Sequence, residues 1–114
     1  MIKRLLIANR GEIAVRILRA CRELNIEVVI AHSRADDRQR YLALADDTVC
    51  VSARSYLEGT SFVAAAQSRG CDAIHPGYGF LSENAEFADL VTSEGLIFVG
   101  PTAEQLRLLG DKSA

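Results

Sequence analysis

Cysteine is scarce in this chain: three in 114 residues, at Cys21, Cys50 and Cys71. None forms a CxxC pair, and His32 and His75 supply no matching ligand spacing, so neither a disulfide framework nor a structural zinc site is expected. Buried, unreactive thiols are the reading for all three: Cys21 falls on an apolar helical face and Cys50 inside a strand-like run. Lysine is scarcer still, with only Lys3 and Lys112. The net charge is −2 and no dense basic cluster exists, which argues against a nucleic-acid partner. No apolar run approaches the roughly 20 residues that span a bilayer, so no membrane role is expected. Arg10 and Glu12 interrupt any signal-peptide core, which leaves the cytoplasm as the expected compartment. There is no repeat, low-complexity stretch or linker, and 114 residues suffice for one core without covalent staples.

Five short apolar runs recur: Leu5 to Ala8, Val28 to Ala31, Thr48 to Val51, Asp72 to Ile74 and Leu96 to Val99. Most are continuously apolar rather than alternating, as strands covered on both faces require. Helical patterns separate them. From Glu12 to Leu24, the residues Ala14, Ile17, Leu18, Cys21 and Leu24 form one apolar stripe, opposite Glu12, Arg16, Arg19 and Glu23. Glu12 and Arg16 are spaced for an i,i+4 pair. Helices are also predicted between Thr60 and Ser68 and between Asn84 and Glu94, with a shorter one within Asp36 to Ala45. A last helix is predicted after Gly100-Pro101, where Thr102 and Gln105 have capping-box spacing and Gly110 is placed to end it. Alternating strand and helix predict an α/β fold: a Rossmann-like, doubly wound parallel sheet of about five strands with helices on both faces.

In such sheets ligands bind outside the carboxyl ends of the strands. Three connections reach that edge: Asn9 to Glu12, His32 to Asp37, and the run His75 to Asn84, HPGYGFLSEN. The last is the most unusual. Pro76 removes a donor and holds His75 extended. Gly77 and Gly79 permit backbone angles or approaches that a Cβ forbids. Ser82 or Asn84 can cap the next helix. The obvious ligand fits poorly: a dinucleotide site needs GxGxxG after the first strand, whereas ANRGEIA has one glycine, and the second strand ends in Ala31-His32-Ser33 without an acid. No P-loop, receiver-type acidic pair or GxSxG context is present. His75 reads as a packed or hydrogen-bonded histidine rather than a general base. Asn9, Arg10 and Glu12 read as a polar network that locks the first turn.

Four phrases, IANRGEIAVRILRAC (Ile7 to Cys21), LADDTVCV (Leu44 to Val51), AIHPGYGFLSENAEFA (Ala73 to Ala88) and FVGPTAEQLRLLGDKSA (Phe98 to Ala114), stand in register across essentially the whole chain. Together they resemble the N-terminal, pre-ATP-grasp domain of biotin carboxylase and of the biotin-dependent acyl-CoA, pyruvate and urea carboxylases. The resemblance implies a domain at 1–110, with 111–114 beginning the connection to an ATP-grasp domain. It implies a ligase that uses ATP, Mg (or Mn) and bicarbonate to form carboxyphosphate and then carboxylates carrier-bound biotin. It also implies several site residues: Lys112 on the ATP phosphates; Tyr78, Gly79 and Glu83 along the biotin and phosphate rim; and Arg16, Arg19 and Glu23 at a homodimer contact. No catalytic residue and no metal ligand is expected within these 114 residues. The implied partners are the ATP-grasp and C-terminal domains, a biotin carboxyl carrier domain and a carboxyltransferase. Another ATP-grasp ligase with a similar leading domain, or a non-catalytic module of the same fold, are the alternatives.

Overall fold

The computed structural model describes residues 2–9, 11–34, 40–51, 59–77 and 80–100. Five strands, β1 (Arg4–Ile7), β2 (Glu27–His32), β3 (Asp47–Cys50), β4 (Ala73–His75) and β5 (Ile97–Phe98), form one sheet in the order β3-β2-β1-β4-β5. All four pairings are parallel. The helices are α1 (Gly11–Glu23), α2 (Thr60–Ser68) and α3 (Ala85–Ser93), with 3-10 turns at Arg40–Leu44 and Phe80–Glu83. The doubly wound parallel sheet inferred from the alternating pattern is the fold observed.

Strand alternation divides the core into two layers. Leu6, Val29, Ala31 and Ile74 meet Phe62, Val63, Ala66, Phe87 and Val91 of α2 and α3 on one face. Leu5, Ile7, Val28, Ile30 and Ala73 meet Ala14, Ile17, Leu18 and Cys21 of α1 and Leu42 of the first 3-10 turn on the other. Because both faces are covered, β1 and β2 need apolar side chains at almost every position, which is why their sequences do not alternate. Right-handed crossovers put α1 and α3 on opposite faces, since β1 leads outward to β2 and β4 leads the other way to β5.

Charged groups at the amino edge of the sheet hold its strands in register. The Asp72 carboxylate accepts from the backbone N–H of Lys3 (3.0 Å) and Arg4 (3.3 Å). Arg4 Nε donates to the Arg69 carbonyl at 2.8 Å, and its guanidinium lies 3.5 Å from Glu27 and 3.7 Å from Asp47. Asp46 accepts from Val28 N–H (2.7 Å) and Arg22 (2.8 Å); these bonds hold its carboxyl below the usual carboxylate range.

Several local expectations are corrected. Cys50 is exposed, because it ends β3, an edge strand, while Cys21 and Cys71 are buried. Burial raises the Cys21 thiol and pushes that of Cys71 up to about 11, so neither is a thiolate near neutrality. Leu24 does not join the buried stripe of α1: the helix ends at Glu23, Asn25 turns the chain at φ 58°, and Leu24 is 70% exposed. The helix expected within Asp36 to Ala45 is described only as the 3-10 turn from Arg40, and residues 35–39 lie outside the described residues. The last predicted helix and the 110/111 division also lie outside them.

Gly59, at the N-cap of α2, has φ +83°, and a Cβ there would run into the buried Phe87 ring. Gly70 has a similar φ of +70° with nothing within 4 Å of a Cβ. Gly70→Ala therefore carries only the left-handed backbone cost of about 1–2 kcal/mol. Gly59→Ala adds overpacking of about 1–3 kcal/mol. Urea unfolding of the two variants is expected to place Gly59→Ala clearly below Gly70→Ala; equal midpoints would refute the clash.

Candidate active-site rim

The strand order reverses at β1, whose neighbours are β2 on one side and β4 on the other. The connections leaving β1 and β4 turn to opposite faces and open a crevice at their carboxyl ends, the place where doubly wound sheets hold ligands. Asn9 stands on one side of it and His75-Pro76-Gly77 on the other.

The two sides are latched. Ala8 N–H donates to the His75 carbonyl at 2.9 Å, extending the β1–β4 ladder by one bond. The Asn9 side-chain amide then donates from Nδ2 to the Pro76 carbonyl at 3.0 Å. Pro76 lacks an N–H, so the first free donor of the turn is Gly77 N–H, which bonds His75 Nδ1 at 3.0 Å. An amide can only donate, so Nδ1 is the unprotonated ring nitrogen and the ring proton resides on Nε2. Burial lowers the His75 pKa and keeps the ring neutral. His75 is thus a hydrogen-bonded rim histidine, as its sequence context suggested.

Gly77 is required twice over. Its φ is +68°, and a Cβ would stand 2.5 Å from Asn9 Nδ2 and 2.8 Å from Asn9 Cβ. The backbone of HPG therefore approaches Asn9 as closely as it does only because position 77 has no side chain. That pairing of Asn9 with Gly77 is the part of the rim that sequence reasoning missed. The signal was present as an Asn at the end of one central strand and a Pro-Gly at the end of another, but nothing in spacing connects positions 68 residues apart.

Downstream, Asn84 caps α3: its Oδ1 accepts from Phe87 N–H at 3.1 Å with extended backbone (φ −92°, ψ 105°). Asn84, rather than Ser82, is therefore the capping side chain. Glu83 closes the 3-10 turn Phe80–Glu83 and is exposed. Among the other residues singled out, Glu12 pairs with Arg16 at 3.2 Å on the exposed side of α1 rather than with Asn9. Arg19 and Glu23 are exposed on α1. His32 is buried and its Nδ1 lies 3.0 Å from the Ser33 carbonyl, which can only accept, so that nitrogen carries a proton. Tyr78, Gly79, Arg10 and Lys112 lie outside the described residues. Among the described residues no group of three His, Cys, Asp or Glu side chains gathers to hold a metal ion, and no helix is long and apolar enough to cross a membrane.

A parallel α/β domain whose first turn is latched by Asn9, in place of a glycine-rich pyrophosphate loop, belongs to a class distinct from dinucleotide-binding Rossmann domains. The family described as "Biotin carboxylase, N-terminal domain" matches residues 1–106, and the chain belongs to that family. A biotin carboxylase of Haemophilus influenzae is 56% identical over 116 aligned residues, covering 98% of this chain and 26% of that protein. The biotin carboxylase domain of a thermophilic 2-oxoglutarate carboxylase bound to bicarbonate superposes with a TM-score of 0.93 at 41% identity, over 99% of this chain and 26% of that one. The Hydrogenobacter thermophilus 2-oxoglutarate carboxylase biotin carboxylase domain, solved as a dimer with MgADP, ADP and bicarbonate, gives a TM-score of 0.91 at 41% identity, over 96% of this chain and 25% of that one. The chain thus spans about a quarter of the length of the biotin carboxylases it matches.

Protonating His75 at Nδ1 would remove the acceptor of Gly77 N–H. Its pKa is below the ordinary 6.5 in the folded state, so the unfolded chain binds the proton first and stability falls as pH drops below about 6.5. His75→Asn keeps an acceptor without a titrating ring. Urea midpoints at pH 7.5 and 5.5 are expected to differ less for this variant than for the parent; an unchanged difference would remove His75 as the source.

Proposed function

We propose that this domain forms one wall of the active site of an ATP-dependent biotin carboxylase. Support comes above all from the latched crevice at the β1/β4 switch point, in a chain related over nearly its whole length to biotin carboxylases. In the reaction, a bicarbonate oxygen attacks the γ-phosphorus of ATP and ADP departs, giving carboxyphosphate. The bond from its carboxyl carbon to the phosphate oxygen then breaks as that carbon bonds N1 of biotin, and the N1 proton leaves with the inorganic phosphate.

Residue roles follow from the chemistry each side chain can perform. Lys112, one of only two lysines, would place a mobile ammonium on the ATP phosphates. Tyr78 and Gly79 would continue the rim beyond Gly77, Tyr78 as an amphipathic wall and Gly79 as a point of close backbone approach. Glu83, an exposed carboxylate, suits an N–H donor such as the biotin ureido group, or a cation, better than a bare phosphate. Mg (or Mn) would neutralise developing phosphate charge, and its ligands would come from the ATP-grasp domain, because phosphoryl transfer is accelerated by fixed positive charge. The domain would extend over residues 1–110, with 111–114 leading toward that ATP-grasp domain. Further partners would be a C-terminal domain, a biotin carboxyl carrier domain and a carboxyltransferase that supplies the final acyl acceptor. Arg16, Arg19 and Glu23, on the exposed side of α1, would contribute to a homodimer contact, and the cytoplasm would be the compartment.

In the complete enzyme, Lys112→Ala should raise the KM for ATP. A charged hydrogen bond is worth about 1.5–3 kcal/mol, so a rise of roughly ten- to a hundredfold is expected in steady-state assays of biotin-dependent ADP release. ADP release driven by ammonia or an amine, with none driven by biotin, would instead assign the domain to another ATP-grasp ligase. The 114-residue chain alone should release no ADP from ATP and bicarbonate.

A separate experiment concerns assembly. Arg19→Glu in the complete enzyme should shift sedimentation from dimer toward monomer; an unaltered dimer would remove α1 from the contact.

A further inference from the structure

The turn after β4 is held by two kinds of contact that set different things. Main-chain pairing of β1 with β4 reaches its end where Ala8 N–H meets the His75 carbonyl. The next bond lies within the turn itself, from Gly77 N–H to His75 Nδ1, and fixes its shape rather than its place over the sheet. Its place is set from β1, by the bond from Asn9 Nδ2 to the Pro76 carbonyl at 3.0 Å. Asn9 is also a steric stop. A Cβ at Gly77 would lie 2.8 Å from both Cβ and Cγ of Asn9, so the Gly77 backbone already rests against that side chain. Bond and contact together define where the chain leaves Gly77.

The groups that do this are uncharged: a carboxamide, a carbonyl, and an imidazole kept neutral by burial. Such a frame suits an uncharged acceptor better than a polyanion. A triphosphate is held by fixed cations, whereas the ureido ring of biotin offers a carbonyl and N–H groups that neutral dipoles can match.

We propose that Asn9 is a positioning residue for the biotin side of the reaction. By holding the Pro76 carbonyl and filling the space beside Gly77, it sets the path of the rim towards Tyr78 and Gly79, the next residues in the chain. Its loss loosens productive binding of biotin and spares that of ATP. This role rests on the carboxylase function proposed above.

The test is steady-state ADP release by the complete enzyme, with biotin and ATP varied in turn. Asn9→Asp keeps the shape of the side chain and replaces the donor by an acceptor. It is expected to raise the KM for biotin roughly tenfold, the effect of one lost hydrogen bond, and to leave the KM for ATP within about twofold. Gly77→Ala should act in the same sense from the other side, because its Cβ displaces Asn9. Since both substitutions break one contact, Gly77→Ala joined to Asn9→Ala should cost no more than Gly77→Ala alone. Equal rises in both KM values, or a fall in kcat with both KM values unchanged, would mark a merely structural residue and overturn the proposal. So would effects of the two substitutions that simply multiply. A parent enzyme without biotin-driven ADP release would overturn the carboxylase function, and the role of Asn9 with it; a biotin-driven parent whose variants show no selective rise overturns the role of Asn9 alone. Should Asn9→Asp fail to fold, Asn9→Ala, which seats no charge, carries the same comparison.

Discussion

The fold depends on β1 being paired along both edges and packed on both faces. Its four residues pair with β2 on one side, Leu5 to Ile7 pair with β4 on the other, and those three are each at most 3% exposed. A strand so enclosed has no freedom to slip, because a one-residue shift would exchange the two apolar layers wholesale. The position of Asn9, two residues beyond the strand, is therefore set by the sheet rather than by its own loop. The same holds for His75, the last residue of β4 and the register partner of Ile7. The crevice is located by the two strands that have least room to move.

The two edges of the sheet use polar groups differently. At the amino edge, Arg4, Asp46, Asp47, Arg69 and Asp72 satisfy one another and the strand-start N–H groups. Exposed ion pairs of this kind contribute little each, roughly 0–1 kcal/mol, so their main effect is on strand register. At the carboxyl edge, the contacts that hold the turns after β1 and β4 are neutral: amide to carbonyl at Asn9, amide to imidazole at His75, amide to carboxamide at Asn84. Neutral contacts fix the backbone of the rim without placing a strong field on it.

Much of the architecture was legible because it rests on local periodicity. The unbroken apolar runs of β1 and β2 required coverage on both faces, and the 3–4 spacing of Ala14, Ile17, Leu18 and Cys21 required a helix on one of them. The bounds Thr60–Ser68 match the helix observed, and Asn84 is one of the two caps, with Ser82, that the sequence offers before Ala85–Ser93. What failed was set by tertiary placement. Leu24 fits the stripe by spacing, yet the left-handed turn at Asn25 ends the helical geometry before it. Cys50 lies in a strand-like run, but only the strand order reveals that β3 is an edge. The glycines of HPGYG signalled close approach, whereas the identity of the approaching group, Asn9, depended on β1 and β4 being neighbours.

This arrangement also gives the histidine at the centre of the rim a structural task. A general base needs a pKa near the working pH and a free lone pair aimed at its proton. His75 has a lowered pKa, and the lone pair on Nδ1 already accepts from Gly77 N–H. What it supplies is geometry: with Pro76 lacking a donor and Gly77 lacking a Cβ, the imidazole is the acceptor that holds the glycine amide in place. The sequence His-Pro-Gly thus reads as one structural unit. Together with Asn9, it brings two central strands to a fixed opening.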